Sequence, residues 1–253
     1  MSDTPSSATP VTAAVLVIGD EILSGRTKDT NSGYIADFLT EAGIDLREVR
    51  VVPDDHDMIV DALNALRGRW TYVFTTGGIG PTHDDITADC VAAAFGVGID
   101  HDPRAVAMLR ERIADQDLNE SRLRMARIPD GAELIENRLT KAPGFRIGNV
   151  FVLAGVPSIM KVMLEAVRPT LAGGPKMLSA SIRADLREGD VAAGLKAIAV
   201  EHPEVMIGSY PFRDEAGLPN TNLVVRSREA DKLEAARAAI ESMVVALRPT
   251  VQR

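Results

Sequence analysis

Apolar, strand-like runs at 12–18, 44–52, 70–75 and 149–154 alternate with periodic stretches at about 31–42, 55–68, 85–95, 102–116 and 157–168. The runs fit buried strands, and the stretches, whose apolar positions recur on one face, fit amphipathic helices. Strands and helices alternating at this spacing join as right-handed βαβ units. The expected product is an α/β fold with a mostly parallel sheet covered by helices on both faces. Ligands of such sheets sit beyond the carboxyl ends of the strands. The loops at 19–24, 53–55, 77–85 and 155–158 each follow one of the runs, so they are expected to gather on one rim.

Arg168-Pro169 and Ala172-Gly173-Gly174-Pro175 then interrupt the pattern. Beyond them come an alternating run at 177–187, a helical stretch at 189–201, strands around 205–210 and 221–228, and a closing helix at 229–247. This β-α-β-β-α order predicts a small α+β domain with its helices on one face of an antiparallel sheet. The expected boundaries are a disordered tail at 1–11, a first domain at 12–172 and a second at 176–253. A KH-type RNA module has similar content, but the segment has no Gly-x-x-Gly clamp and no dense basic patch.

Composition narrows the partners. The 253 residues carry a net charge of −8, which argues against nucleic acid, because affinity for phosphate backbones comes mainly from clustered Lys and Arg. A small anion remains compatible with an acidic chain, since backbone N–H groups alone can hold it. Cys90, the single cysteine, lies within a helical pattern and reads as a small buried hydrophobe; it leaves no intramolecular disulfide and no cysteine zinc site. The Ser/Thr/Pro-rich start lacks the features of a signal peptide, and no apolar run approaches membrane-spanning length. A cytoplasmic location without membrane contact is the expectation.

The chemistry centres on residues 75–87. A strand-like run ends there in a turn containing Gly77, Gly78 and Gly80, which can take positive φ and lack a Cβ, so that successive N–H groups can converge on a phosphate. Pro81 suits a first helical position, which would aim a helix N-terminus at the same pocket. The same residues also serve an ordinary strand-to-helix turn, and Thr82 with Asp85 fits a capping box in which the acid serves only the helix. The spacing matches neither the Walker lysine motif nor the dinucleotide G-x-G-x-x-G. Carboxylates crowd this rim: Asp20 and Glu21, Asp54 and Asp55, Asp84 and Asp85. Such hard oxygens beside a phosphate cradle suit a divalent cation such as Mg²⁺ or Mn²⁺, although Asp54 or Asp55 also fits as the cap of the helix starting near His56. His83 fits a metal ligand, a general base or an exposed loop residue. Asn31, Ser32 and Ser158 stand at helix starts, where capping is the simplest role.

Thr75-Thr76-Gly77-Gly78-Ile79-Gly80-Pro81-Thr82-His83-Asp84-Asp85-Ile86-Thr87 resembles the signature loop of the MoaB/Mog molybdopterin-binding domain family, in the branch found at the N-terminus of competence/damage-inducible protein A (CinA) and in FAD synthase relatives. Gly19-Asp20-Glu21-Ile22-Leu23-Ser24-Gly25 with Asp29-Thr30-Asn31-Ser32, then Val52-Pro53-Asp54-Asp55, Ala142-Pro143-Gly144-Phe145 and Leu153-Ala154-Gly155-Val156-Pro157-Ser158 resemble that branch's other loops in order. Ile207-Gly208-Ser209-Tyr210-Pro211-Phe212 is similar to a segment of the FAD-synthase relatives, either closing the substrate pocket or packing Tyr210 and Phe212 at a domain boundary. The resemblance implies a divalent-metal-dependent pyrophosphatase that cleaves an ADP-linked diphosphate, ADP-ribose or FAD, with Mg, Mn or Co as cofactor. The implied catalytic residues are Asp85, Asp54 and His83, and the implied metal ligands Asp85, Asp84, Asp54 and Asp20. Substrate and phosphate contacts then fall to Thr76, Gly77, Gly78, Gly80, Pro81, Thr82, Asn31, Ser32, Gly155 and Ser158.

A molybdopterin-binding protein without hydrolase activity is the alternative, and an inactive domain kept for oligomerisation a third. Ile79, Thr82, His83 and Asp84 replace the threonine and the small and basic residues of pterin-inserting members, a change that favours metal-mediated binding. A homo-oligomer is expected. Relatives often carry a C-terminal amidase domain acting on nicotinamide mononucleotide; the chain has no room for it, so that activity is expected to be absent.

Overall fold

The computed structural model describes residues 10–251, and the expected tail lies outside the described residues except for Pro10 and Val11. Val11 is not loose, because its carbonyl accepts a hydrogen bond from the Asp45 N–H at 2.9 Å. The chain forms two compact units, Met1–Gly174 and Pro175–Arg253.

The first unit runs β1 (Thr12–Ile18), α1 (Asp20–Leu23), α2 (Asn31–Glu41), β2 (Asp45–Val52), α3 (His56–Arg67), β3 (Tyr72–Thr76), α4 (Thr87–Phe95), β4 (Ile99–His101), α5 (Pro103–Arg110), α6 (Glu120–Leu123), β5 (Arg127–Pro129), β6 (Glu133–Ile135), β7 (Gly144–Ile147), β8 (Val150–Leu153) and α7 (Pro157–Val167). Its main sheet has the order β2-β1-β3-β8-β7-β6. The pairings from β2 through β8 are parallel, and β7 and β6 add an antiparallel edge. The central strands β3 and β8 are buried along their whole length, as strands covered on both faces must be. Alternate residues of β1 feed two cores. Ala14, Leu16 and Ile18 pack with Ile59, Leu63 and Val91 from α3 and α4. Ala13, Val15 and Val17 pack with Ile35, Leu39 and Leu164 from α2 and α7.

Two expectations need correction. The helical stretch at 102–116 ends at Arg110, and short turns follow. Asp115 and Asn119 compete there for local hydrogen bonds: Asp115 takes the Arg110 Nε–H at 2.9 Å, and Asn119 caps α6 through the Arg122 N–H. The helix expected from 85 begins at Thr87, which matters for the site.

The second unit runs β9 (Leu178–Arg183), α8 (Glu188–Glu201), β10 (Met206–Arg213), β11 (Pro219–Ser227) and α9 (Ala230–Val251). It forms an antiparallel sheet of order β10-β11-β9, against which both helices pack. Val191, Ile198, Leu223, Val225 and Ile240 make up a core separate from the first two. The Ile207–Phe212 segment lies in β10, where the Tyr210 hydroxyl accepts from Arg226 at 3.2 Å and Arg183 lies over the Phe212 ring. Among the described residues no helix is long and apolar enough to cross a membrane.

Candidate functional site

β3 delivers the chain into the glycine turn, and the turn's backbone is fixed by its neighbours. Gly77 and Gly78 adopt φ of 105° and 66°. A Cβ on Gly77 would stand 2.1 Å from the Ile18 carbonyl oxygen, and one on Gly78 would stand 2.2 Å from Thr87 Oγ1. Gly80 has no positive φ; its requirement is space, since a Cβ there would lie 2.6 Å from Asp85 Oδ2. Thr87 closes the turn from the far side: its hydroxyl donates to the Gly77 carbonyl at 2.9 Å and its N–H to the Gly78 carbonyl at 3.0 Å. The N–H groups of Gly78, Ile79 and Gly80 donate to no acceptor among the described residues. Three consecutive free donors on a constrained backbone are what an anion cradle requires.

Pro81 does not start a helix. Asp85 Oδ2 accepts from the Thr82 N–H at 2.7 Å and its hydroxyl at 2.5 Å, the carboxylate half of the expected capping box. Here that bond closes a turn, with the Asp85 N–H on the Thr82 carbonyl at 3.3 Å, and α4 begins only after it. Local side-chain bonds have won over the helix.

The cradle opens on a cleft of about 840 Å³ within the first unit, lined by Gly77, Gly78, Gly80, Pro81, Asp85 and Gly155. Ile113, Met125, Ile159 and Met163 supply apolar wall, and Arg112 and Arg122 bring positive charge. That volume and mixture suit an organic ligand with an anionic end.

The other expected residues divide. Asp54 is half-buried, and its Oδ2 accepts from the Asp20 N–H at 3.0 Å. Burial pushes its carboxyl up, and the charges of Asp20, Glu21 and Asp84 add to this, while the Asp20 N–H opposes them. Asp55 caps α3 through the Met58 N–H. Among the described residues no group of three or more His, Cys, Asp or Glu is arranged to hold a metal ion. Asp54 and Asp85 each keep one carboxylate oxygen, Oδ1, free of hydrogen bonds among the described residues. Of these two, Asp85 lines the cleft and Asp54 does not.

His83 is not brought into the cleft: its side chain is 99% exposed, with Asp84 at 3.9 Å as its neighbour. Ser158 is exposed, lines no part of the cleft and caps nothing. Asn31 and Ser32 do not cap α2 either, because Asp29 Oδ1 accepts both their N–H groups, at 2.9 and 3.1 Å. Asn31 and Thr76 instead face a smaller pocket beside the cleft.

Folding separates the arginines of this region. Arg112 and Arg122 line the cleft, Arg124 Nη2 donates to the Asp85 carbonyl at 3.1 Å, and Arg127 pairs with Asp89 at 2.7 Å. The fully buried Asn137 was missed. It organises the 137–142 loop on the cleft wall, donating to the Thr140 hydroxyl at 2.5 Å and the Ala142 carbonyl at 2.9 Å. Its signal was an Asx-type turn just before Ala142-Pro143-Gly144.

Comparison with known proteins agrees with this architecture. Residues 14–173 match the family described as "Probable molybdopterin binding domain", and residues 176–248 match "FAD synthase, middle domain". A protein of Aeropyrum pernix is 37% identical over 237 residues, covering 89% of this chain and 88% of its own. A CinA-like protein of Myxococcus xanthus is 32% identical over 242 residues, and the match spans 90% of this chain but 57% of that longer protein. The crystal structure of the protein CinA, of unknown function, from Thermoplasma acidophilum superposes with a TM-score of 0.61 at 38% identity, covering 64% of this chain and 98% of that one. The chain belongs to the CinA-like branch of the MoaB/Mog molybdopterin-binding domain family and carries a second domain of the FAD synthase middle-domain type.

Proposed function

We propose that the protein is a nucleotide pyrophosphatase, dependent on a divalent metal, that cleaves an ADP-linked diphosphate such as ADP-ribose or FAD into AMP and a phosphate ester. The observation that carries this reading is the row of N–H groups at Gly78, Ile79 and Gly80, unpartnered among the described residues, on the wall of a cleft of about 840 Å³ that Asp85 also lines. The cradle binds one phosphoryl group and stabilises charge that builds on its oxygens as the anhydride bridge breaks. Asp85, fixed through Thr82, and Asp54, fixed through the Asp20 N–H, would hold the metal through their free oxygens. A divalent ion there would offset the diphosphate's charge and make water a better nucleophile. Water oxygen then bonds to phosphorus, the bridging P–O bond breaks, and the water proton leaves through a carboxylate or solvent. The likeness of the second unit to an FAD synthase domain supports a nucleotide substrate.

The test is AMP release from a panel of adenylyl diphosphates with Mg²⁺, Mn²⁺ and Co²⁺. Asp85→Asn is expected to lower turnover by about 10²-fold or more, with the thermal transition retained, and chelation to remove activity. Equal hydrolysis by the variant and the parent would sink the assignment. The description of the matching family favours one second reading, a pterin-binding protein without hydrolase activity. Stabilisation by molybdopterin, with none by ADP-ribose or FAD in the presence of Mn²⁺, would select it.

A further inference from the structure

Beside the cleft lies a pocket of about 60 Å³ walled by Asn31, Thr76, Asp29 and Lys28, and it shares Glu21 and Gly155 with the cleft. Asn31 is only 7% exposed. Its Nδ2 donates to the Gly155 carbonyl at 2.7 Å, which fixes the amide's orientation and leaves Oδ1 as a buried acceptor with no partner among the described residues. Thr76 is 1% exposed, and its hydroxyl likewise makes no hydrogen bond among the described residues. Because Asp29 already satisfies the first N–H groups of α2, Asn31 has no capping duty that would explain its burial. A buried acceptor without a donor is destabilising, and such exceptions call for a missing partner.

The partner must be a donor. A phosphate only accepts, and it would meet the Asn31 oxygen together with the Glu21 and Asp29 carboxylates unfavourably. We propose that this pocket reads a sugar hydroxyl of the bound nucleotide: the hydroxyl donates to Asn31 Oδ1 and exchanges hydrogen bonds with the Thr76 hydroxyl, while the adjoining phosphate occupies the cradle at 78–80. The subsite deepens the nucleotide reading above and rests on it. It makes Asn31 a specificity residue rather than a phosphate ligand.

Calorimetric titration of the full chain with ADP, 2′,3′-dideoxy-ADP and inorganic pyrophosphate tests this. The parent is expected to bind ADP about tenfold more tightly than the dideoxy analogue, because losing a buried hydroxyl leaves its protein partner unpaired. Asn31→Leu is expected to abolish that difference and leave pyrophosphate affinity unchanged. Thr76→Val, nearly the same shape without the hydroxyl, should narrow the difference and serves if Asn31→Leu does not fold. Equal binding of ADP and dideoxy-ADP by the parent, with pyrophosphate still bound, would overturn the subsite alone. Failure of pyrophosphate to bind the parent would overturn the cradle and both readings with it.

Discussion

Gly77 shows how tightly single residues are specified at this site. Its positive φ and the 2.1 Å approach of its missing Cβ to the Ile18 carbonyl oxygen tie the turn to β1 as well as β3. Gly77→Ala is therefore expected to cost about 2 kcal/mol or more, measured by urea denaturation, because backbone rather than a flexible side chain must move. Asp54 behaves differently. Its raised pKa means that the folded chain holds the proton more tightly than the unfolded one, so this group's stabilising contribution is full below 3.8 and is lost as pH rises through the folded value. Asp54→Asn should accordingly raise the Tm at neutral pH while impairing turnover. A Tm difference that grows on acidification would contradict this. Cys90, 0% exposed, has its thiol pushed up to about 12, chiefly by burial. Alkylation at neutral pH should be negligible in the native chain and complete in denaturant. Gly77 and Gly78 were legible because no other residue takes those conformations cheaply. The exposure of His83 was not, since it is decided by the path of the loop.

At the level of elements, α2 depends on Asp29, which lies outside the helix yet satisfies two of its N–H groups. Asp29→Ala should cost about 1 kcal/mol, and chemical denaturation would register the loss. The long strands and helices announced themselves by period, and their family resemblance put them in order. The strands β4 to β7 did not: the three- and four-residue pieces at Ile99–His101, Arg127–Pro129, Glu133–Ile135 and Gly144–Ile147 are too short to show alternation. The start of α4 was misplaced for a different reason. Pro81 and the Thr82/Asp85 pair carry genuine helix-start chemistry, but Thr87 anchors the two glycine carbonyls and sets the first helical residue beyond them.

Across the whole chain, two units with separate cores meet at Gly174 and Pro175. The segment just before this point is tied to the first unit: the Ala172 N–H donates to the Tyr72 hydroxyl at 2.9 Å, and the Gly174 N–H to the Gly43 carbonyl at 3.1 Å. Lys176 follows directly and is exposed. Brief trypsin treatment should cut after Lys176 first and leave two resistant fragments, visible by mass spectrometry. Early cuts scattered through either unit would argue against independent cores.

The amino-acid sequence alone determined the α/β class, the break between two folding patterns, the glycine turn and the family, because periodicity, special backbone conformations and ordered motifs are properties of neighbouring residues. Folding alone decided which of the rim residues share a cleft. Among the described residues it left the N–H groups of Gly78, Ile79 and Gly80 unpaired, kept His83 and Ser158 out of the cleft, brought Arg112 and Asn137 to its wall, and gave Asn31 a buried oxygen without a partner. Those outcomes depend on contacts between segments far apart in the chain, such as Asn31 with Gly155 and Arg124 with Asp85, and no local pattern encodes them.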